Sequence, residues 1–439
     1  MLNYNLFTKP ISGIEKLILS GLIILPLIPW LGALIWGITI IYIWYKNYPI
    51  IIKNSLNLSL ILLGIWLIIT CFFAFKPEDG FLGLVNILPF FGLFIGFKLV
   101  IKKVEQLFIM AWLMVFPSII IVILGLGQLF LNWSTPEVIS PFLGWTLRVN
   151  GVPEGRMNSI FIYANLFAIY LLIIFVITLG LWINYYRKWQ QSKHKKLSSP
   201  LLFLSFAISL HVIGLILTNS RNAWIIATLA FLVYTLYLSW YWLVGTMTFI
   251  ISCVLYASFG SLPGQDLVRK IVPDYFWMRL ADTMYSDRPI ATLRVTQWRF
   301  TLKMTKDRPL FGWGLRNFSP LYEAQTNTYL GHPHNLFLMF SAETGIFGLL
   351  GFLGIVGWIY FQAIESLKNL AQQNRKKDHL ILFTYLTAFS SCVLFNLFDV
   401  TIFDIRVNAL SWFLLACICG VSEGFRGCLK SNKDYRSTP

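Results

Sequence analysis

Residues 107–131 read LFIMAWLMVFPSIIIVILGLGQLFL, twenty-five positions without one charged side chain. A helix needs about 20 mainly apolar residues to cross a bilayer, so this stretch alone is long enough. Lys98, Lys102 and Lys103 stand just before it. The same layout, an apolar run bounded by a short basic one, recurs along the whole chain. Of the 439 residues, 57% are hydrophobic and only 12% charged, and the mean hydropathy is +0.69. Soluble domains carry about a quarter charged residues. Half that charge cannot cover a globular surface in water, but lipid can cover this one.

Hydropathy predicts about twelve spans, near 15–31, 32–46, 57–74, 82–101, 107–131, 158–183, 200–218, 223–240, 241–259, 334–362, 380–398 and 408–424. Pro26 and Pro29 leave open whether the first pair is one bent helix or two short ones. The fold class is therefore an all-α polytopic membrane protein. With the N-terminus inside, every short basic run falls on the cytoplasmic side: Lys46 and Lys53, Lys98 to Lys103, Arg187 to Lys196, and Arg375 to Lys377. The tail 425–439 falls there too, so both termini are expected in the cytoplasm. The net charge of +16 is spread over short, separate runs, which does not suit a nucleic-acid surface. Five cysteines lie in or beside apolar segments and none has a metal-ligand spacing. No small-residue cleavage site follows the apolar stretch from Leu17, so an uncleaved first span is expected.

The domain layout follows: spans one to nine over 1–259, an extracytoplasmic connection over 260–333, spans ten to twelve over 334–424, and the tail. A second outer connection covers about 132–157. Connections as long as 260–333 are usually functional or contain helices of their own. Ala291–Thr305 reads as one such helix, with Leu293, Trp298, Leu302 and Thr305 loosely on one side, lying on the membrane surface.

Under this topology four polar clusters converge on the outer side. His332-Pro333-His334-Asn335 stands at the mouth of span ten, and His accepts protons near neutral pH. Two histidines without a third or fourth ligand at a recognisable spacing predict no metal. Thr218-Asn219-Ser220-Arg221-Asn222 forms a short outer turn whose Arg lies within a turn of hydrocarbon, where a charge is a functional candidate by default. Arg294 and Trp298 share a helical face. Arg156 with Asn165 stands at the entrance to span six. Several Arg groups with a single basic His suit a diphosphate substrate, because guanidinium binds phosphate oxygens bidentately and keeps its charge.

From Arg294 to Gly348 the chain resembles the O-antigen ligase and O-antigen polymerase superfamily of bacterial membrane proteins. The residues carrying the resemblance are Arg294-x3-Trp298, Asp307-Arg308-Pro309-Leu310-Phe311-Gly312-Trp313-Gly314, and His332-Pro333-His334-Asn335 followed after nine residues by Gly345. Ser220-Arg221 and Arg156…Asn165 resemble two upstream blocks. The resemblance implies an enzyme of the bacterial inner membrane that needs no cofactor. It would transfer a polyprenyl-diphosphate-linked glycan, with inversion and without metal, to a lipid or glycan acceptor on the extracytoplasmic side. His334 would be the catalytic base. Arg221, Arg294 and Arg156 would bind the donor diphosphate, with Asn335 and Glu343 in support. The alternatives are a polymerase with the same chemistry and a bicarbonate-uptake-related transporter.

Overall fold

The computed structural model describes residues 12–192, 197–261, 263–281 and 289–436, with side chains through Arg426. Lys193, Lys195 and Lys196 of the basic run lie outside the described residues, as do the side chains of Cys428, Lys430, Lys433 and Arg436. Sequence signals start the helices where expected. Ser12 and Glu15 form a reciprocal capping box that opens α1 (Gly13–Leu27), and Pro29 stands at the first position of α2 (Pro29–Ile51). The first apolar region is thus two helices broken at Ile28, with Gly32 pressed onto the Leu25 backbone. Asn54 caps α3 (Ser55–Phe72) by accepting from the Asn57 N–H.

The remaining order is α4 (Pro77–Leu84), α5 (Leu88–Val100), α6 (Val104–Phe130), α7 (Ser140–Leu143), α8 (Ala164–Ser192), α9 (Ser198–Leu217), α10 (Arg221–Tyr237) and α11 (Tyr241–Phe259). Then follow α12 (Gln265–Ile271), α13 (Asp274–Leu280), α14 (Arg294–Asp307), α15 (Phe318–Thr326), α16 (Leu336–Gln372), α17 (Lys376–Phe395) and α18 (Ile405–Arg436). Among the described residues nine helical segments are long and apolar enough to cross a membrane. The other three expected spans are also helical, but α1 and α10 have only 15 and 17 residues and α2 carries a kink at Asn47. Helix α8 is the axis of the bundle, with α6, α9, α10 and α17 packed around it.

The two ends of the bundle differ in chemistry. At one end Lys98, buried, donates to Asn54 Oδ1 and Glu423 Oε1, and Lys102 meets Glu423 Oε2 at 2.7 Å. The other end carries the long connections. There α16 breaks at Gly345, whose φ of 73° only glycine adopts without strain. The turn after α14 replaces the hydrogen bonds lost at the break. Trp313 and Gly314 donate to the carbonyls of Ala342 and Glu343, and Ile346 donates to that of Pro309. A side chain at Gly345 would meet the Leu310 carbonyl. Gly345→Ala is therefore expected to cost about 1–3 kcal/mol from backbone strain alone, read as a lower thermal midpoint. An unchanged midpoint would contradict this account of the break.

Helix α14 joins the long connection to the bundle. It buries Gln297, Thr301 and Met304 and packs on α16, while Leu293 and Leu302 are exposed. The contact with α16, reinforced by Thr305 Oγ1 bonding Ser341 Oγ at 3.1 Å, selects this face. The helix is fixed to the bundle by a mostly polar face, and Leu293, Val295 and Leu302 stand on its exposed side.

Candidate active site

The end bearing the long connections holds a cavity of about 530 Å³ lined by residues from six separate stretches of chain. His334, Arg156, Arg221, Arg294 and Asn165 all line it, together with Arg279. Four of these six are the residues whose chemistry the sequence singles out as base or phosphate ligands. Asn335 and Glu343 do not line it.

Local structure sets each side chain. Asn335 caps α16, accepting from the Leu338 N–H at 3.0 Å and donating to the Leu397 carbonyl at 3.0 Å. That second bond, with Leu336 N–H to the Asn396 carbonyl at 2.9 Å, ties the start of α16 to the turn between α17 and α18. The preceding residue, His334, is held at a φ of 51°, a conformation uncommon for a side-chain-bearing residue and one that clusters at functional sites. Its N–H donates to His332 Nδ1 at 3.2 Å. Trp298 Nε1 donates to the Pro333 carbonyl at 3.0 Å, so α14 carries Arg294 and clamps the histidine turn with one face.

His334 Nδ1 lies 3.1 Å from Asp399 Oδ1. Asp399 also accepts from Asn165 Nδ2 at 2.7 Å and from the Val400 N–H at 2.9 Å. Burial pushes this carboxyl up, yet the hydrogen bond and charge of His334, then His332 and the Val400 N–H, outweigh it and hold it below the usual carboxylate range. An ionised carboxylate only accepts hydrogen bonds. Nδ1 of His334 therefore carries the proton, and in the neutral ring Nε2 keeps the lone pair. Behind Asp399 the chain of contacts continues to Arg156, whose Nη2 donates to Asn165 Oδ1 at 2.6 Å and whose Nε donates to the Thr218 carbonyl at 2.8 Å.

The rest of the lining is mostly positive. Arg221 begins α10 and Arg294 begins α14, and neither helix has a side-chain N-cap. Both N-termini belong to the cavity lining, through 220–222 and 292–295. Uncapped helix starts with their aligned dipoles favour anions. Arg279, from the end of α13, is buried and donates to the Asn219 carbonyl at 3.4 Å, while Arg221 Nη1 donates to the Arg279 carbonyl.

His332, His334 and Asp399 bring three potential metal-ligand atoms within 4.8 Å of one another. Two of these atoms, His334 Nδ1 and Asp399 Oδ1, hydrogen-bond each other, and His332 Nε2 lies 3.9 Å from the same carboxylate oxygen. His332 Nδ1 accepts the His334 N–H, which puts the proton of a neutral His332 ring on Nε2, the atom facing Asp399. Burial above all, with the His334 and Arg294 charges adding to it against Asp399, lowers His332 to about 4, so the ring is neutral at pH 7.

Glu343 has another task. Its Oε1 accepts the Phe318 N–H at 3.1 Å, anchoring α15 at the α16 break. Sequence reasoning misses Arg279 and Asp399. Arg279 is one of many basic residues between Arg269 and Arg316, and Asp399 follows its histidine by 65 positions.

Residues 204–353 match the family model described as O-antigen ligase. The match begins within α9 and ends within α16, so it contains Arg221, Arg279, Arg294 and His334. Arg156, Asn165 and Asp399 lie outside it. No curated protein matches the chain.

Proposed function

We propose, from the membership of the chain in the O-antigen ligase superfamily through residues 204–353, that it transfers a glycan from a polyprenyl diphosphate to an acceptor hydroxyl. The observation that carries this reading is one cavity lined by a carboxylate-paired histidine and by Arg221, Arg279 and Arg294. The basic end of the bundle faces the cytoplasm under the positive-inside rule, so the cavity opens on the extracytoplasmic side of a bacterial inner membrane.

In this mechanism the donor diphosphate sits between the arginines and the starts of α10 and α14. The acceptor hydroxyl gives its proton to His334 Nε2 as its oxygen attacks the anomeric carbon. The bond from that carbon to the phosphate oxygen breaks, and its electron pair leaves with the diphosphate. A single displacement inverts the anomeric centre. Charge grows on the leaving oxygens, where fixed guanidinium groups and helix N–H donors stabilise it without reorganising. The guanidinium groups do the work that a metal does elsewhere, so transfer proceeds with chelator present. Arg156 also lines the cavity, where it can meet the diphosphate, and it holds Asn165 and through it Asp399. Ligase and polymerase differ here only in the acceptor.

The test of the donor site is affinity. A hydrogen bond to a charged group contributes about 1.5–3 kcal/mol, so Arg221→Ala and Arg294→Ala should each weaken binding of a polyprenyl-diphosphate oligosaccharide about tenfold to hundredfold. Equilibrium binding in nanodiscs reads this directly. Lys at either position should recover part of the loss, because it restores charge but not the fork. Unchanged affinity in both Ala variants would remove the donor from this cavity.

A further inference from the structure

The other end of the bundle gathers cations that the transfer reading does not use. Arg187 and Lys188 stand near the far end of α8, about 33 Å along the helix from Asn165. Helix α17 packs along α8 and begins beside them. Its Lys377 is close enough to Lys188 for the two like charges to act on each other, and the Arg187 charge reaches His379 in the same way. His379 Nδ1 in turn bonds Tyr237 Oη, at the end of α10, at 2.9 Å. Three helices thus bring Arg187, Lys188 and Lys377 together.

Each of these cations lies over an aromatic ring and not against a carboxylate. Arg187 Cζ is 5.5 Å from the centre of Tyr237, Lys188 Nζ 5.4 Å from that of Tyr185, and Lys377 Nζ 4.5 Å from that of Phe108. Among the described residues none of the three forms an ion pair. Asp378, the neighbour of Lys377, is paired with Arg375 at 2.7 Å. Lys98 and Lys102, at the same end, share Glu423. Like charges held together without a counter-charge repel, and a bound anion turns that repulsion into attraction. The level of the cluster is marked by aromatic rings. Trp182, Tyr186 and Trp189 stack along α8 with centroids 4.9 and 6.3 Å apart, and Trp240 meets Tyr186 edge-on at 6.0 Å. Trp and Tyr gather at the height of lipid headgroups, and Trp189 is exposed.

We infer that Arg187, Lys188 and Lys377 bind the headgroup of an anionic phospholipid in the leaflet at this end, the cytoplasmic one under the positive-inside rule. Basic pockets between spanning helices on that side take phosphate-bearing headgroups. Arg187 offers its fork to two phosphate oxygens, and the lysines add point charges. Three cations exceed what a single phosphodiester neutralises, so a headgroup with two phosphates, as in cardiolipin, binds more tightly than one with a single phosphate. The lipid joins α8 to α17 by charge where the protein supplies no carboxylate. This inference does not depend on the transfer reading.

The full-length protein in a neutral detergent would be titrated with phosphatidylcholine, phosphatidylglycerol and cardiolipin, and bound lipid measured by native mass spectrometry. Cardiolipin should bind best and phosphatidylcholine least. Lys188→Ala combined with Lys377→Ala should weaken cardiolipin about thirtyfold, about fivefold for each charge removed. Lys46→Ala combined with Lys53→Ala removes as many exposed charges from the same end and should leave cardiolipin affinity close to that of the parent. Equal binding of the three lipids, or an equal loss in both double variants, would overturn the inference. Thermal unfolding without lipid checks the cause. The Lys188/Lys377 variant relieves a repulsion, so its midpoint should equal or exceed that of the parent, and only the parent should gain stability from cardiolipin. A lower midpoint in that variant would make the pair structural and overturn the inference. Inorganic pyrophosphate that stabilises the parent at the concentrations effective for cardiolipin would assign the cluster to a soluble anion and overturn it as well.

Discussion

His334→Ala is expected to lower the rate of glycan transfer about 10²–10⁴-fold, the usual contribution of a positioned general base, while binding the donor as the parent does. The donor is held by the arginines and helix N-termini of the cavity, and the imidazole contributes little to a ground-state diphosphate. Truncation removes the proton acceptor and leaves Asp399 with its remaining bonds from Asn165 and Val400. The loss should therefore appear in kcat, with donor affinity close to that of the parent, the signature of an interaction made only in the transition state. Single-turnover transfer measured alongside donor binding separates the two. A variant that loses donor affinity but turns over bound donor at the parent rate would place His334 in binding and not in proton transfer.

Asp399→Asn should cost nearly as much. The carboxylate forces the proton of His334 onto Nδ1, whereas an amide can present its N–H to Nδ1 and so move the proton to Nε2. The base would then face its substrate with a proton already in place. In serine proteases the equivalent exchange costs about 10⁴ in kcat. Here the amide nitrogen that meets Nδ1 also stands where the Val400 N–H needs an acceptor, while the amide oxygen still accepts from Asn165 Nδ2. The expected result is a loss of about 10²–10⁴ in kcat with an altered pH profile, since the imidazole has lost its carboxylate partner. A role limited to holding the turn would lower thermal stability and leave the shape of the pH profile as it was. Asp399→Glu, which retains the charge, should recover part of the activity.

The spans were legible because a bilayer demands a long apolar run, and few other structures produce nine of them. The sequence also singles out His334, Arg221 and Arg294 from local context, at a span mouth, a short turn and a helix start. The partner that fixes the imidazole was not legible. Asp399 reads as one acidic residue in a short connection, and only the packing of α16 against α17 and α18 brings it to His334. Glu343 misleads in the opposite way. It is close to His334 in sequence, but the first eight residues of α16 carry it about 12 Å along the helix, where its carboxyl serves the Phe318 N–H. The packed face of α14 was not legible either, because Gln297 and Thr301 are polar and yet buried, Gln297 Nε2 donating to the Thr292 carbonyl and Thr301 Oγ1 to that of Gln297.

The most direct test of the central claim is the stoichiometry of the reaction. Purified protein in nanodiscs would be given a polyprenyl-diphosphate oligosaccharide, a hydroxyl acceptor and chelator, with released polyprenyl diphosphate and transferred glycan both measured. The account predicts one released diphosphate for each glycan transferred, an inverted anomeric centre in the product, and loss of both signals in His334→Ala. Equal transfer by that variant, or no transfer by the folded parent across a broad panel of donors and acceptors, would contradict it.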